Sequence, residues 1–161
     1  MGQYWKAVNL DKKEYLNPHK LGCGLKLVEQ VWNSPGTGTA LIILCAAMPE
    51  RRGGGDLDLS ENWHGPERTF PEHNMGPGPM PEGYQTIAHR TIGRWAGDRI
   101  ALIGDYAEDG DLAPEHEAST IYGRCGTEFL DITDDVCKVI EHECNGSFTG
   151  TGWREFKRNA A

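Results

Sequence analysis

The chain lacks the long apolar segments that export or membrane insertion would require. It opens on Gln3-Tyr4-Trp5-Lys6, without the apolar stretch of a signal peptide. The apolar run at residues 40–48 is about half the length that spans a bilayer. These absences predict a soluble, cytoplasmic protein with no membrane partner.

Regularly spaced cysteines are also missing. The sequence has 5 cysteines, an odd number, and none of them forms a Cys-x-x-Cys pair. Such a set is a poor disulfide framework. We therefore predict reduced thiols, which are typical of the cytosol.

Positive charge is scarce as well. Lys and Arg number 16 against 24 Asp and Glu, which gives a formal net charge of −8. A chain of this charge repels phosphate backbones at long range. A Walker loop and a Rossmann glycine fingerprint are both absent. The sequence therefore argues against nucleic acid as a partner and predicts no nucleotide site.

The 161 residues are enough for one domain with one hydrophobic core. Much of the glycine and proline is concentrated at residues 49–83, where no apolar period could build a core. We predict a single domain, residues 1–161, with residues 49–83 as a long Gly/Pro-rich surface insertion.

The part before the insertion predicts a β-hairpin followed by helices. Aromatic and β-branched residues at 4–9 and 14–16 flank a polar turn at 11–13. Pro18 has no N–H to donate and should end the second strand. Residues 25–32 predict a helix. Thr39 is expected to cap another, residues 40–48, buried on all sides against the sheet.

The part after the insertion predicts further strands and a final helix. The apolar run at 99–105 suggests a central strand, and residues 121–122 and 128–130 suggest shorter ones. Thr133 should cap a helix over residues 134–144, which carries an apolar stripe and ends at Gly146. The predicted fold is α+β, with a mostly antiparallel sheet and two or three helices.

Two segments resemble a family of small uncharacterised bacterial proteins. They are the opening MGQYWKAVNLDKKEYL at residues 1–16 and the segment WAGDRI at residues 95–100. The resemblance implies kinship and a bacterial-type soluble domain. Because no activity is assigned to that family, it carries no site to this chain.

Acidic residues cluster just after the 99–105 strand. Asp105, Asp109 and Asp111 lie close together in sequence, and oxygen ligands of this kind suit a divalent cation such as Ca²⁺. The match to an EF-hand loop is incomplete, because Ala107 and His116 occupy two ligand positions. The alternative is a solvated connection between a strand and a loop.

A second metal hypothesis concerns the last predicted helix. Cys137, His142 and Cys144 offer the thiolate and imidazole ligands that zinc prefers, and the two cysteines share a helix face. The alternative is that the cysteines pack as small apolar side chains.

The insertion supplies two further hypotheses. Arg51, Arg52, Gly53 and Gly54 could form an anion-binding nest, with loop flexibility as the alternative. The other hypothesis is contact with a partner protein through the aromatic and imidazole side chains of Trp63, His64, Phe70 and His73. Alternatively, these side chains cover the domain itself.

The sequence favours a small binding or interaction module over an enzyme. A metal-dependent hydrolase is the competing hypothesis, with ligands from His64, His73, Asp105 or Asp109 brought together in space. Cys23, four residues after His19, is a weak nucleophile candidate, since nothing nearby lowers its pKa.

Overall fold

A computed structural model of the chain describes residues 3–22, 25–32, 35–47 and 83–143. These residues form an α+β domain, as predicted, with one sheet of four strands and with five α-helices where two or three were expected. In chain order the elements are β1 (Trp5–Asn9), β2 (Glu14–Leu16), a 3-10 helix (Pro18–Lys20), α1 (Glu29–Trp32), α2 (Thr37–Leu44), α3 (Tyr84–Thr91), β3 (Ile100–Gly104), α4 (Ala118–Arg124), β4 (Leu130–Asp131) and α5 (Thr133–Glu143).

The sheet has the strand order β3-β1-β2-β4. The predicted hairpin is confirmed, because β1 pairs antiparallel with β2 through Ala7 and Leu16. On its other side β1 pairs antiparallel with β3, whereas β4 runs parallel to β2. The sheet is therefore mixed, with two antiparallel pairs and one parallel pair.

The predicted central position of the 99–105 strand is wrong. Within the described sheet, β3 pairs with β1 alone and forms an edge. Its apolar run reflects burial on two faces, since Ile100 packs on one side of the sheet and Ile103 on the other. The apolar content of a strand indicates that its two faces are covered by other side chains. It does not indicate whether both of its edges are hydrogen-bonded to neighbouring strands.

Each face of the sheet is covered by its own apolar cluster. Ala7 and Leu16 face a larger cluster with side chains of α2, α3 and α5, whereas Val8 and Tyr15 face a smaller one with Ile121 of α4. The alternation of side chains along a strand explains this division, because neighbouring residues point to opposite faces. The hairpin thus contributes to both layers.

The helix predictions have mixed outcomes. Helix α5 is confirmed, although it begins at Thr133 itself, and the carboxylate of Asp131 accepts hydrogen bonds from the Thr133 N–H (3.0 Å) and hydroxyl (2.5 Å). Helix α2 starts two residues before the predicted Thr39 cap, after Gly36, and ends at Leu44. Ile121 and Tyr122 belong to helix α4 and not to a strand.

The hairpin is fixed to the segment between α3 and β3 by a buried carboxylate. Glu14 accepts hydrogen bonds from Arg94 Nε (2.9 Å) and Nη2 (2.5 Å), and from the indole N–H of Trp95 (2.8 Å). Trp95 is fully buried. Because a buried carboxylate without partners is costly, these contacts determine how the two parts of the chain meet.

Burial alone would raise the pKa of Glu14. The Arg94 guanidinium and the Trp95 indole outweigh that effect and hold the pKa of Glu14 below its ordinary value. The pairing therefore stabilises the fold above the unfolded-state pKa and loses that contribution as the pH falls through the folded-state pKa.

We expect Glu14→Gln to lower the free energy of unfolding by about 2–4 kcal/mol, because it leaves Arg94 without its anionic partner in a largely buried site. Urea unfolding at neutral pH measures this loss. Glu128→Gln is the matched control, since Glu128 forms an exposed pair with Arg124, four residues earlier, and its urea midpoint should stay close to that of the wild type. Equal midpoints for the two variants would contradict the role given to Glu14.

The same pairing predicts a pH dependence. The stability difference between wild type and Glu14→Gln should be full above the ordinary Glu pKa of 4.5 and shrink below it, because acid protonates the wild-type carboxylate. Urea unfolding of both proteins across this range tests the expectation. A difference that stays constant into strong acid would show that charge pairing is not the cause.

Candidate functional site

Branched aliphatic side chains are exposed on helices α1 and α2 and at the residue just before α1. The exposed fractions are 64% for Val28, 72% for Val31 and 75% for Ile42. We call these three residues the α1–α2 surface. Single exposed apolar residues are ordinary on proteins, whereas adjacent ones mark a region where contact with a partner would remove apolar area from water.

Two contacts and one helical spacing indicate that these residues lie near one another. Val28 and Val31 are joined by a hydrogen bond from the Val31 N–H to the Val28 carbonyl, at 3.2 Å. A Cβ atom at Gly38 would lie 3.1 Å from Val31 Cγ1, so α2 approaches α1 closely there. Ile42 follows Gly38 by four residues, and residues at that spacing share a helix face.

The opposite face of α2 anchors this surface to the core. Ala40, Ile43 and Leu44 are buried in the larger cluster. The carbonyls of Ile43 and Leu44 accept hydrogen bonds from the N–H groups of Gly93 (2.9 Å) and Trp95 (2.8 Å). The prediction that this all-apolar helix is buried on every side is therefore wrong, because Ile42 points to solvent.

Helix α1 is tied to the start of β1. The Trp5 N–H donates to the Leu25 carbonyl (2.8 Å), and the side-chain amide of Gln30 donates to the Trp5 carbonyl (3.3 Å). Gln30 is buried, whereas Val31 on the same short helix and Val28 just before it are exposed. Hydrogen bonds to the backbone thus hold both parts of the α1–α2 surface in place, α1 through Trp5 and α2 through Ile43 and Leu44.

The acidic residues predicted to bind calcium each have partners within the chain. Asp105 accepts from the Tyr4 N–H (3.0 Å), Asp109 from the Ser119 hydroxyl (2.8 Å) and Asp111 from the Glu108 N–H (2.9 Å). Across the described residues, no group of three or more His, Cys, Asp or Glu side chains is arranged to hold a metal ion. The calcium site stays a prediction.

The thiols in the described residues are in environments that disfavour the thiolate. Burial raises the pKa of Cys137 to about 12 and that of Cys125 to about 11. Cys137 lies in the core, with its thiol 3.7 Å from the Lys20 carbonyl. These environments suit apolar packing and not nucleophilic chemistry.

Several predicted site residues fall where the structure gives no description. Cys144 and Cys23 lie outside the described residues, and the side chain of His142 is not described. The insertion residues also lie outside, namely Arg51, Arg52, Gly53, Gly54, Trp63, His64, Phe70 and His73. The zinc, anion and insertion hypotheses therefore stay predictions.

Comparison of the chain with protein-family models, with curated proteins and with solved structures gives no match in any of the three. Within the described residues, no helix combines the length and apolar character needed to cross a bilayer. The function is therefore inferred from the geometry of the candidate site.

The metal hypotheses lead to a direct test at Asp109. Because Asp109 already accepts from both the N–H and the hydroxyl of Ser119, we expect added calcium to leave the melting temperature of the protein unchanged. Differential scanning fluorimetry with calcium, and with zinc as a second probe, measures the effect. A calcium-dependent rise that disappears in Asp109→Asn would instead establish a metal site at this turn.

Proposed function

We propose that the chain is a protein-binding module and that the α1–α2 surface is its contact region. The observation that carries the proposal is the exposure of Val28, Val31 and Ile42, all more than half exposed, on two segments that approach each other closely at Gly38. Burying such side chains at an interface is worth about 25 cal/mol per Å² of apolar area. Backbone hydrogen bonds to the core hold the surface in place, so little ordering is required before a partner binds.

The charge of the chain indicates the character of the partner. Helix α2 contains no charged residue, so its part of the contact is apolar. The whole chain carries a net charge of −8, so a second copy would be repelled and a cationic protein attracted. We therefore propose a partner with net positive charge that presents aliphatic or aromatic side chains to the α1–α2 surface.

The insertion is proposed to take part in the same interaction. Residues 49–83 follow α2 in the chain, and their apolar and imidazole side chains Trp63, His64, Phe70 and His73 are of the types found in interfaces. The amino-acid composition of residues 49–83 is what supports their role in this interaction. It is separable from the α1–α2 surface, because each set of residues can be substituted alone.

The proposal is tested by crosslinking followed by affinity measurement. A photo-crosslinking amino acid at Val31 should form an adduct with a basic protein in native cells, and mass spectrometry identifies that protein. Ile42→Glu should weaken binding of the purified partner by about tenfold or more, because it places a charge in an apolar contact. Raised salt should also weaken the binding, because screening reduces the attraction between opposite charges.

Thr120→Glu provides the matched control, since Thr120 is an exposed position on α4, which packs on the other face of the sheet. This variant should bind as the wild type does, and both variants should keep the wild-type melting temperature. An adduct with a second copy of the chain, or equal affinity for wild type and Ile42→Glu, would overturn the proposal.

A further inference from the structure

A histidine joins the loop before α4 to the start of β3. His116 Nε2 lies 3.2 Å from Arg99 Nη1, and the same guanidinium nitrogen lies 3.5 Å from Glu115 Oε1. The His116 side chain is mostly shielded from solvent. We call the three residues Arg99, Glu115 and His116 the loop clasp.

The chemistry of arginine limits which form of His116 can make this contact. A guanidinium can only donate hydrogen bonds and stays charged at any ordinary pH. The contact is a hydrogen bond only when His116 Nε2 is unprotonated and the ring proton is on Nδ1. Protonation of Nε2 removes the acceptor and places two cations against each other.

Two carboxylates lie close to His116, and one of them, Glu115, is itself part of the clasp. Asp11, in the turn of the hairpin, binds Arg99 through its side chain (2.7 Å) and through the Arg99 N–H (2.6 Å). It would attract a protonated His116, although its oxygens are already engaged by Arg99. Glu115 lies 3.9 Å from His116 Nε2 and belongs to the same loop as the histidine.

Glu115 does not hold a protonated His116 near Arg99, because Glu115 belongs to the same loop as His116. A protonated His116 competes with Arg99 for the Glu115 carboxylate, and a His116–Glu115 pair would lie entirely within the loop. The His116–Arg99 contact would then be lost, and the Glu115 carboxylate would be shared between the two cations. The loop stays attached elsewhere, because Leu112 packs against the smaller core cluster and Asp109 binds Ser119.

We propose that the loop clasp is a pH-sensitive device, closed when His116 is neutral and opened by its protonation. Opening frees residues 113–117 from β3 while the core stays folded. The proposal is independent of the α1–α2 surface, since neither Arg99 nor His116 belongs to it.

Nuclear magnetic resonance of the full chain at about pH 7.5 and about pH 5.5, on either side of the range where imidazoles commonly titrate, tests the device. At the higher pH the ¹⁵N shifts of the His116 ring should show the proton on Nδ1. At the lower pH the amides of residues 113–117 should lose order parameter, while those of β1 keep theirs.

His116→Gln is the matched variant, because its side-chain carbonyl accepts from Arg99 at both pH values. Its loop should show the same order parameters at both. Equal pH responses in wild type and His116→Gln would overturn the proposal. So would a wild-type ring with the proton on Nε2 at the higher pH, a measurement that does not depend on the variant.

Discussion

The buried pairing of Glu14 with Arg94 and Trp95 is the constraint on which the arrangement of the domain depends. It joins the hairpin to the segment that precedes β3, across 80 residues of sequence in the Arg94 contact. A carboxylate in this position costs desolvation energy, and only a close match of donors recovers it. Few alternative placements of the hairpin would supply a guanidinium and an indole N–H together, so the pairing selects one register.

The same interface contains further polar contacts around the hairpin turn. The buried amide of Asn9 donates to Asp98 (2.7 Å), Lys12 pairs with Asp98, and Asp11 pairs with Arg99. These residues lie within residues 1–16 and 95–100 of the chain. Most of the charged residues that the structure describes in these two segments therefore have a structural role.

Local patterns in the sequence predicted the hairpin and α5, but not α4, whose residues 121–122 were expected to form a strand. The hairpin followed from alternation around a polar turn, and α5 followed from an apolar stripe behind acidic residues. What could not be predicted were properties set by distant contacts. The edge position of β3 depends on its pairing with β1, and the exposure of Ile42 depends on which side of α2 meets the core.

In the candidate site, too, the properties set by distant contacts could not be predicted from the sequence. An all-apolar helix gives no signal in its own sequence about which face is buried, because every face is alike. The close approach of α1 to α2 at Gly38 is what places Val31 beside the helix that carries Ile42. The sequence alone could not indicate the loop clasp, because Arg99 and His116 are 17 residues apart and neither residue by itself suggests the contact.

The position of the α1–α2 surface follows from the Glu14 pairing. The Trp95 N–H holds the Leu44 carbonyl at the end of α2, and the Trp95 indole is held by Glu14. One tryptophan thus connects the buried carboxylate to the helix that carries Ile42. Because the chain of contacts is short and each hydrogen bond is buried or partly buried, loosening of Glu14 would be transmitted to α2. A rigid apolar surface can therefore be maintained on a helix of only eight residues, which would not be stable alone in water.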